Sequence, residues 1–485
     1  MSISHLEPIP VWRHFEALAA CPRLSGHEGR ARQYVMDQAR THGATSAVDG
    51  YGNVVVTIPG SLDAPGVAIQ SHLDMVRAAR EGVQHNWASD SIKPRIDGSV
   101  VRATGTSLGA DNGIGVAMGL ALVTAGAKRT LPIELIFTVE EEIGLRGASH
   151  LDPSLIHSKY LINLDSEEVE KLTIGCTGGA TLRLTLPLTV AGVDAGFAGL
   201  LLEAKGGLGG HSGLEIHKPR VNALKEIAAA IELVRASDVP ARIVSFAGGT
   251  AANSIPGSAD ATVVVPIGDV DRANRILSET GLRSIVHWSA DDPDFELLAS
   301  SMPVQARAFD EESTVRLLSV ISGLPHGVQR MSDVHAGKPE TSVNLAMIGP
   351  DSKGVYFTTS VRSFTPEGLD TAQAAIRAIA ANHGGAADLI STYPGWPPRD
   401  DSPLIRHAAE AFRQVYGVEP EIEVVHAGLE CGAIVDRLPN LDAISFGPEI
   451  RGAHTPDESV TIASVRTTWR LLTTLLDRLD AEAAG

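Results

Sequence analysis

The stretch G-V-A-I-Q-S-H-L-D, residues 66–74, decides how this chain is read. A glycine opens an apolar run of strand length, and the run ends in His72 and Asp74. An apolar run without polar alternation suits a strand buried on both faces, as in a parallel sheet covered by helices. Along a strand, residues two apart point to the same side, so Asp74 can hold the ring N–H of His72 and fix its tautomer. Carboxylates do this around zinc-bound imidazoles. Taken alone, the pair reads more readily as a polar strand end.

Working outward, the same pattern repeats. N-V-V-V-T-I-P (53–59), L-P-I-E-L-I-F-T-V (131–139) and K-Y-L-I-N-L-D (159–165) are short apolar runs bounded by turn residues or ending in functional ones. Residues 11–20 open a helix, and residues 112–126 read as a buried Gly- and Ala-rich helix. Strands alternating with helices predict an α/β fold with a mostly parallel central sheet. In such sheets ligands bind beyond the C-terminal strand ends, where Asp74, Glu142 and Asp165 fall.

The character changes near residue 183. G-L-L-L-E-A-K-G-G (199–207), the helical N-A-L-K-E-I-A-A-A-I-E-L-V (222–234) and two more strands form one unit. A second unit of like pattern begins near residue 340, with S-V-N-L-A-M-I, G-V-Y-F-T-T-S-V-R-S and another helix. This predicts a duplicated α+β lid, residues 183–392, inserted into a discontinuous catalytic domain, residues 1–182 and 393–485. The Pro-rich S-T-Y-P-G-W-P-P-R-D-D (391–401) marks the return. After it come a helix at Pro403–Tyr416, a strand at Glu421–Val425, a helix at Glu430–Asp436, a strand at Ala443–Phe446 and a long final helix.

Bulk properties narrow the function. The 485 residues exceed one small core, and 44% hydrophobic with 20% charged residues is ordinary for a globular enzyme. A formal charge of −18 repels phosphate backbones, which argues against nucleic acid as a partner. The three cysteines, Cys21, Cys176 and Cys431, are odd in number and far apart. They point to a reducing, cytoplasmic setting without disulfides. The N-terminus has no basic region followed by an apolar run, and no stretch is apolar and long enough to span a bilayer.

Four further segments carry metal-type residues. Asp111 lies in L-G-A-D-N-G-I-G, where flanking glycines let the backbone approach an ion and a carboxylate can bridge two cations. A phosphate cradle is the other use of such a turn, but the G-K-[ST] signature is missing. Glu140, Glu141 and Glu142 form a run that is costly after an apolar strand unless cations neutralise it; a solvated acidic loop is the plain alternative. The useful arrangement puts one Glu on metal and leaves its neighbour as general base. Asp165 ends an apolar strand, where an aspartate also serves as a helix cap. Glu167 and Glu168 after it read as surface. His454, in G-A-H-T-P-D-E, is a loop histidine whose weight comes from the other segments.

Taken together, S-H-L-D-M-V, G-A-D-N-G-I-G, E-E-I-G-L-R-G-A, N-L-D-S-E-E, G-G-H-S-G-L-E-I-H, H-A-G-L-E-C-G and A-H-T-P-D-E resemble the aminoacyl-histidine dipeptidases, within the co-catalytic zinc exopeptidases related to glutamate carboxypeptidase. The resemblance spans nearly the whole chain in order. It implies two Zn2+ ions, with Mn2+ or Co2+ as substitutes. His72 and Asp165 would hold one, Glu142 and His454 the other, and Asp111 would bridge them. Asp74 would orient His72. Glu141 would be the general base toward a metal-activated water, a register supported by Ile143-Gly144 and Gly147-Ala148, which leaves Glu140 as the extra residue. His211 would polarise the scissile carbonyl. Asn253, Arg362 and backbone N–H at Gly428 would grip the substrate's carboxylate.

The activity implied is a cytosolic dipeptidase for unblocked dipeptides, preferring Xaa-His such as β-Ala-His. A broader dipeptidase, a tripeptidase or an N-acyl-amino-acid deacylase is the alternative, and a non-catalytic scaffold is disfavoured by Asp74, Glu141 and His211. The doubled lid would let one chain supply every group, so monomer and homodimer both fit. The partner is a small peptide, with no membrane.

Overall fold

The computed structural model describes residues 2–126, 129–399 and 401–484; Asp400 of the Pro-rich connection lies outside the described residues. The chain divides into two compact units: Met1–Cys176, Trp396–Val424 and Leu429–Gly485 form one, and Thr177–Gly395 with Val425–Gly428 form the other. The exchanges therefore fall at 176/177 and 395/396 rather than at 182/183 and 392/393, because the strands Gly178–Pro187 and Ala386–Tyr393 belong wholly to the second unit.

In the first unit an eight-stranded sheet carries the site. Its centre is parallel: Ile133–Thr138, Val67–His72, Tyr160–Asn163 and Asp442–Ser445 lie side by side. Every residue of these four strands is buried, as expected for a sheet covered on both faces. Antiparallel strands, including Val54–Ile58, complete the edges. The register sets His72 opposite Thr138 and Gln70 opposite Asn163, so the chain leaves all three strands at one edge.

The helices Ile9–Ala19, Ala110–Ala125 and Ile462–Ala484 share one apolar core with these strands. The second of them needs its glycines for close approach: a Cβ on Gly113 would come within 3.0 Å of the Phe15 ring, and one on Gly119 within 3.2 Å of Phe137.

The second unit is built on a nine-stranded antiparallel sheet, in which Gly327–Met331 is added beside Pro339–Asp351. It falls into two halves of one design. The strands Phe197–Lys205, Arg242–Gly248, Ala259–Pro266 and Glu296–Met302, with helices Ala223–Ala236 and Val270–Trp288, make the first. The strands Gly178–Pro187, Pro339–Asp351, Gly354–Ser363 and Ala386–Tyr393, with helices Glu311–Gly323 and Pro366–Asn382, make the second. Each runs strand–helix–strand–strand–helix–strand with spatial order 4-1-3-2, and the halves join where Gly248 meets Ile348.

The duplication is thus present, but the second half does not begin near residue 340. Its first strand is Gly178–Pro187, so the first half is threaded into the second. That strand's partners lie far along the chain, at Gly354–Ser363 and Ala386–Tyr393, which local pattern does not reveal.

Among the described residues, no helix is long and apolar enough to cross a membrane. None of the three cysteines is joined in a disulfide.

Candidate active site

At the shared edge of the parallel strands, two histidines face one aspartate. His72 Nε2 lies 2.9 Å from Asp111 Oδ1, and His454 Nε2 lies 3.0 Å from Asp111 Oδ2. Asp165 Oδ1 is 3.4 Å from the same His72 nitrogen, and Glu142 Oε2 is 2.9 Å from that of His454. The five residues thereby form two trios that share Asp111. Ligand atoms of His72, Asp111 and Glu142 all lie within 4.8 Å of one another, a spacing that can hold a metal ion.

The electrostatics fit a cation. Burial lowers the basicity of His72, yet the Asp165, Asp111 and Asp74 carboxylates overrule it and hold the ring well above its ordinary value. Hydrogen bonds to Asp111 and Glu142 push His454 up to about 11. Burial, with Asp111 nearby, raises Glu142, whose Oε1 is buried without a hydrogen-bond partner. This is a concentration of negative charge that takes up positive charge wherever it can. Mixed imidazole and carboxylate donors suit zinc.

Backbone clamps hold the cluster. Asp74 lies past the strand end rather than on it. Its Oδ1 accepts the Glu141 N–H at 3.0 Å, and its Oδ2 accepts the Glu142 N–H at 3.1 Å and the Ser25 hydroxyl at 2.8 Å. It sits 3.4 Å from His72 Nδ1. One fully buried carboxylate thus holds the glutamate loop beside the His72 ring. Glu458, 2% exposed, accepts four successive N–H groups, from Leu108 (2.6 Å), Gly109 (2.8 Å), Ala110 (2.7 Å) and Asp111 (3.2 Å). An anion at the start of the helix Ala110–Ala125 also answers its dipole. Buried Arg23 donates to Leu73 O and Asp74 O, both at 2.8 Å, and to Gly109 O. Gly109 has φ +69° and no room for a Cβ beside Arg23 and Met75.

The three adjacent glutamates separate. Glu140 turns away at φ 53°, accepting the Tyr51 hydroxyl at 2.9 Å and facing Arg146 at 3.6 Å. Glu142 reaches His454. The carboxyl of Glu141 is raised well above the usual range by burial and by Glu142, Asp165 and Glu430. Gly147 packs under the loop, where a Cβ would sit 2.2 Å from Val139 O. The helix-cap alternative for Asp165 finds no helix, since residues 165–170 are irregular. Asp165 instead receives the Asn112 side-chain amide.

Glu167 corrects an expectation. It is half-buried rather than a surface residue, and burial with Asp111 and Asp165 pushes its carboxyl up to about 8.

The second unit holds the four recognition candidates, His211, Asn253, Arg362 and Gly428. His211 bridges Ser254 on the neighbouring turn, and its Nδ1 accepts N–H groups of Gly213 at 3.3 Å and Leu214 at 3.2 Å. The Asn253 carbonyl accepts the Ser212 N–H at 2.8 Å, while the residue itself is exposed. A Cβ on Gly213 would meet His426 O at 2.6 Å, so this loop packs on residues 426–427. Arg362, 7% exposed, donates to the Tyr393 hydroxyl. His426 Nε2 and the Ser342 hydroxyl are 2.7 Å apart, and burial and Arg362 bring this imidazole down to about 3, so it is neutral.

Comparison with known proteins gives this geometry a family. The model of Peptidase family M20/M25/M40 matches residues 68–478. The chain belongs to that family. A cytosol non-specific dipeptidase of Escherichia coli (strain K12) is 34% identical over 483 residues, covering 99% of each chain. The crystal structure of an aminoacylhistidine dipeptidase from Vibrio alginolyticus superposes with a TM-score of 0.82 at 34% identity, over 99% of this chain and 98% of that one. Human carnosine dipeptidase 1 shares the fold at 12% identity and a TM-score of 0.53, over 97% of this chain and 96% of that one.

Within this M20/M25/M40 peptidase, several residues next to the site escaped the sequence reading. Arg23 and Glu458 carried no signal beyond a basic residue after proline and an acid in a turn. Glu430, fully buried, accepts the Thr138 hydroxyl at 2.8 Å and the Gln70 amide, and burial pushes its carboxyl up to about 8. Gln70 in turn accepts from Asn163 at 2.5 Å, so a polar chain crosses the sheet just behind His72 and Asp165. Polar residues inside otherwise apolar strands were the available clue.

Proposed function

We propose that this chain is a dizinc dipeptidase that hydrolyses unblocked dipeptides with a preference for C-terminal histidine. The observation that carries the reading is Asp111, with one carboxylate oxygen 2.9 Å from His72 and the other 3.0 Å from His454. A carboxylate so placed suits bridging two ions, with Asp165 completing one trio and Glu142 the other. When bound, such a pair of cations polarises the scissile carbonyl and the attacking water. Mn2+ or Co2+ would suit the same donors.

The chain's own residues supply the rest. Asp74 holds the His72 ring and both N–H groups of the glutamate loop, which fixes where Glu141 points. Glu141, whose raised basicity suits proton transfer, takes the proton from water and passes it to the leaving amine. His211 stabilises the oxyanion, and Asn253, Arg362 and the Gly428 N–H receive the substrate's carboxylate. The 34% identical Vibrio alginolyticus structure, an aminoacylhistidine dipeptidase, supports the histidine preference. The Escherichia coli relative's description as a non-specific dipeptidase supports a second reading, a broader dipeptidase on the same site. That relative is also described as cytosolic, in keeping with a cytosolic enzyme here.

The test is hydrolysis of β-Ala-His, Gly-His, Gly-Leu and an N-acetylated dipeptide by zinc-loaded protein, with a chelator control. Turnover confined to the His dipeptides and abolished by chelator is expected. Equal turnover of Gly-Leu moves the protein to the broad reading, and cleavage of the acetylated substrate overturns both in favour of a deacylase.

A further inference from the structure

Arg362 is an unusual arginine. It is 7% exposed, its Nε is buried without a partner, and among the described residues it has no carboxylate in ion-pair contact. A buried guanidinium without an anion is costly, so the fold holds it for an anion yet to arrive. What does touch it is Tyr393, whose hydroxyl oxygen accepts from Nη1 at 2.5 Å.

The contact depends on the sheet. Arg362 lies opposite Gly179 on one side, and Gly179 lies opposite Tyr393 on the other. The three residues form one cross-strand row with glycine in the middle. Any side chain on Gly179 would fill the space the phenol occupies: a Cβ there would stand 2.3 Å from Tyr393 Cζ and Oη. A Cβ on Gly428 would likewise stand 2.6 Å from the ring. Two glycines on separate segments thus make the seat, and the ring crosses the middle strand to reach the guanidinium.

We propose that Tyr393 is a positioning residue for Arg362, seated between Gly179 and Gly428 so that the guanidinium presents its remaining N–H groups as a fixed carboxylate receptor. This rests on the reading of Arg362 as the group that binds the substrate's C-terminal carboxylate. An arginine held at one edge loses less rotamer freedom when it engages an anion at another. The phenol neither bonds to the scissile group nor moves a proton. Gly428 thereby acquires a role beyond any backbone N–H it offers: it leaves room for the ring.

The experiment is steady-state kinetics of the zinc-loaded full chain on a good dipeptide substrate, for Tyr393→Phe, Arg362→Ala, the double variant and Gly179→Ala. Tyr393→Phe is expected to raise KM about tenfold, the loss of one hydrogen bond to a charged group, with kcat within about twofold. The double variant should be no worse than Arg362→Ala alone, because the tyrosine acts only through the arginine. Gly179→Ala, which keeps the hydroxyl but evicts the ring, should reproduce the KM rise. A raised KM for Arg362→Ala with Tyr393→Phe at wild-type KM overturns the positioning role and leaves the carboxylate reading intact. An unchanged KM for Arg362→Ala overturns the carboxylate reading itself. Equal losses in kcat and KM for Tyr393→Phe, additive with Arg362→Ala, would mark a merely structural residue.

Discussion

The two units gather charge of opposite sign by opposite means. At the edge of the parallel sheet, Asp111, Glu142, Asp165 and Glu141 crowd around two imidazoles, and each raises another's affinity for positive charge. In the antiparallel sheet, Arg362 is buried beside a neutral His426 with a tyrosine as its acceptor. The first cluster comes from loops that leave three strand ends together; the second comes from side chains meeting across strands of one register. A parallel sheet offers loops at one edge, whereas an antiparallel sheet offers rows. Each cluster would be a poor way to stabilise a fold, since buried charge is costly without its complement. On the function proposed above, both serve as receptors, one for cations and one for a carboxylate.

The largest effect that would sharpen this contrast is at Glu141. Glu141→Gln keeps size and loop contacts, because the loop is held through backbone N–H groups on Asp74. Activity should fall by at least about 10²-fold, while zinc still raises the thermal midpoint as in wild type. Loss of the zinc-dependent shift would make Glu141 a ligand instead of a base, and the division of the glutamate run would have to be redrawn.

A smaller effect is expected one layer out. Glu458→Gln removes the charge that gathers four N–H groups at the loop bearing Asp111. A glutamine has one acceptor oxygen and a competing NH2, so two of those donors lose their partner. Zinc affinity should weaken about 10–100-fold, the usual cost of disturbing residues that support ligands. Titration with a competing chelator measures this directly. Unchanged affinity would show that Gly109 and Arg23 alone hold the loop.

How far the sequence could be read follows the same division. The apolar runs ending in His72, Glu142 and Asp165 were legible because burial on both faces leaves a continuous apolar signal and the polar residues interrupt it. The lid's internal pattern was legible for similar reasons. What escaped was whatever depends on a distant partner. Glu458 and Leu108 are 350 residues apart, and nothing in A-H-T-P-D-E says that its last residue will meet four backbone amides. Glu167 looked like surface because an acid two residues past a strand usually is one. Tyr393 sat in a Pro-rich stretch that read as a connection, yet it closes a strand whose row contains Gly179 and Arg362. Short-range patterns report what each element is, and only the fold reports what it faces.

The smallest expected effect concerns acid stability, and it turns on an uncharged histidine of the antiparallel unit. In the antiparallel unit, burial and Lys225 bring His326 down to about 4. Its Nδ1 faces the Asn222 side-chain amide at 3.2 Å, which suits an acceptor nitrogen. In the unfolded chain the same ring titrates near 6.5, so below that value the unfolded state binds a proton that the folded state refuses. The stability this neutral ring allows is therefore complete above about pH 6.5 and is lost progressively as pH falls toward 4. His326→Asn keeps an acceptor for Asn222 but cannot titrate. Its thermal midpoint should fall less than that of wild type between pH 7 and pH 5, even if it starts lower. Parallel declines in the two proteins would mean that His326 takes up a proton in the folded state as readily as in the unfolded chain. The acid sensitivity would then have to come from other groups, the carboxylates or the neutral His14 and His426, and the contrast between the units would not be carried by His326.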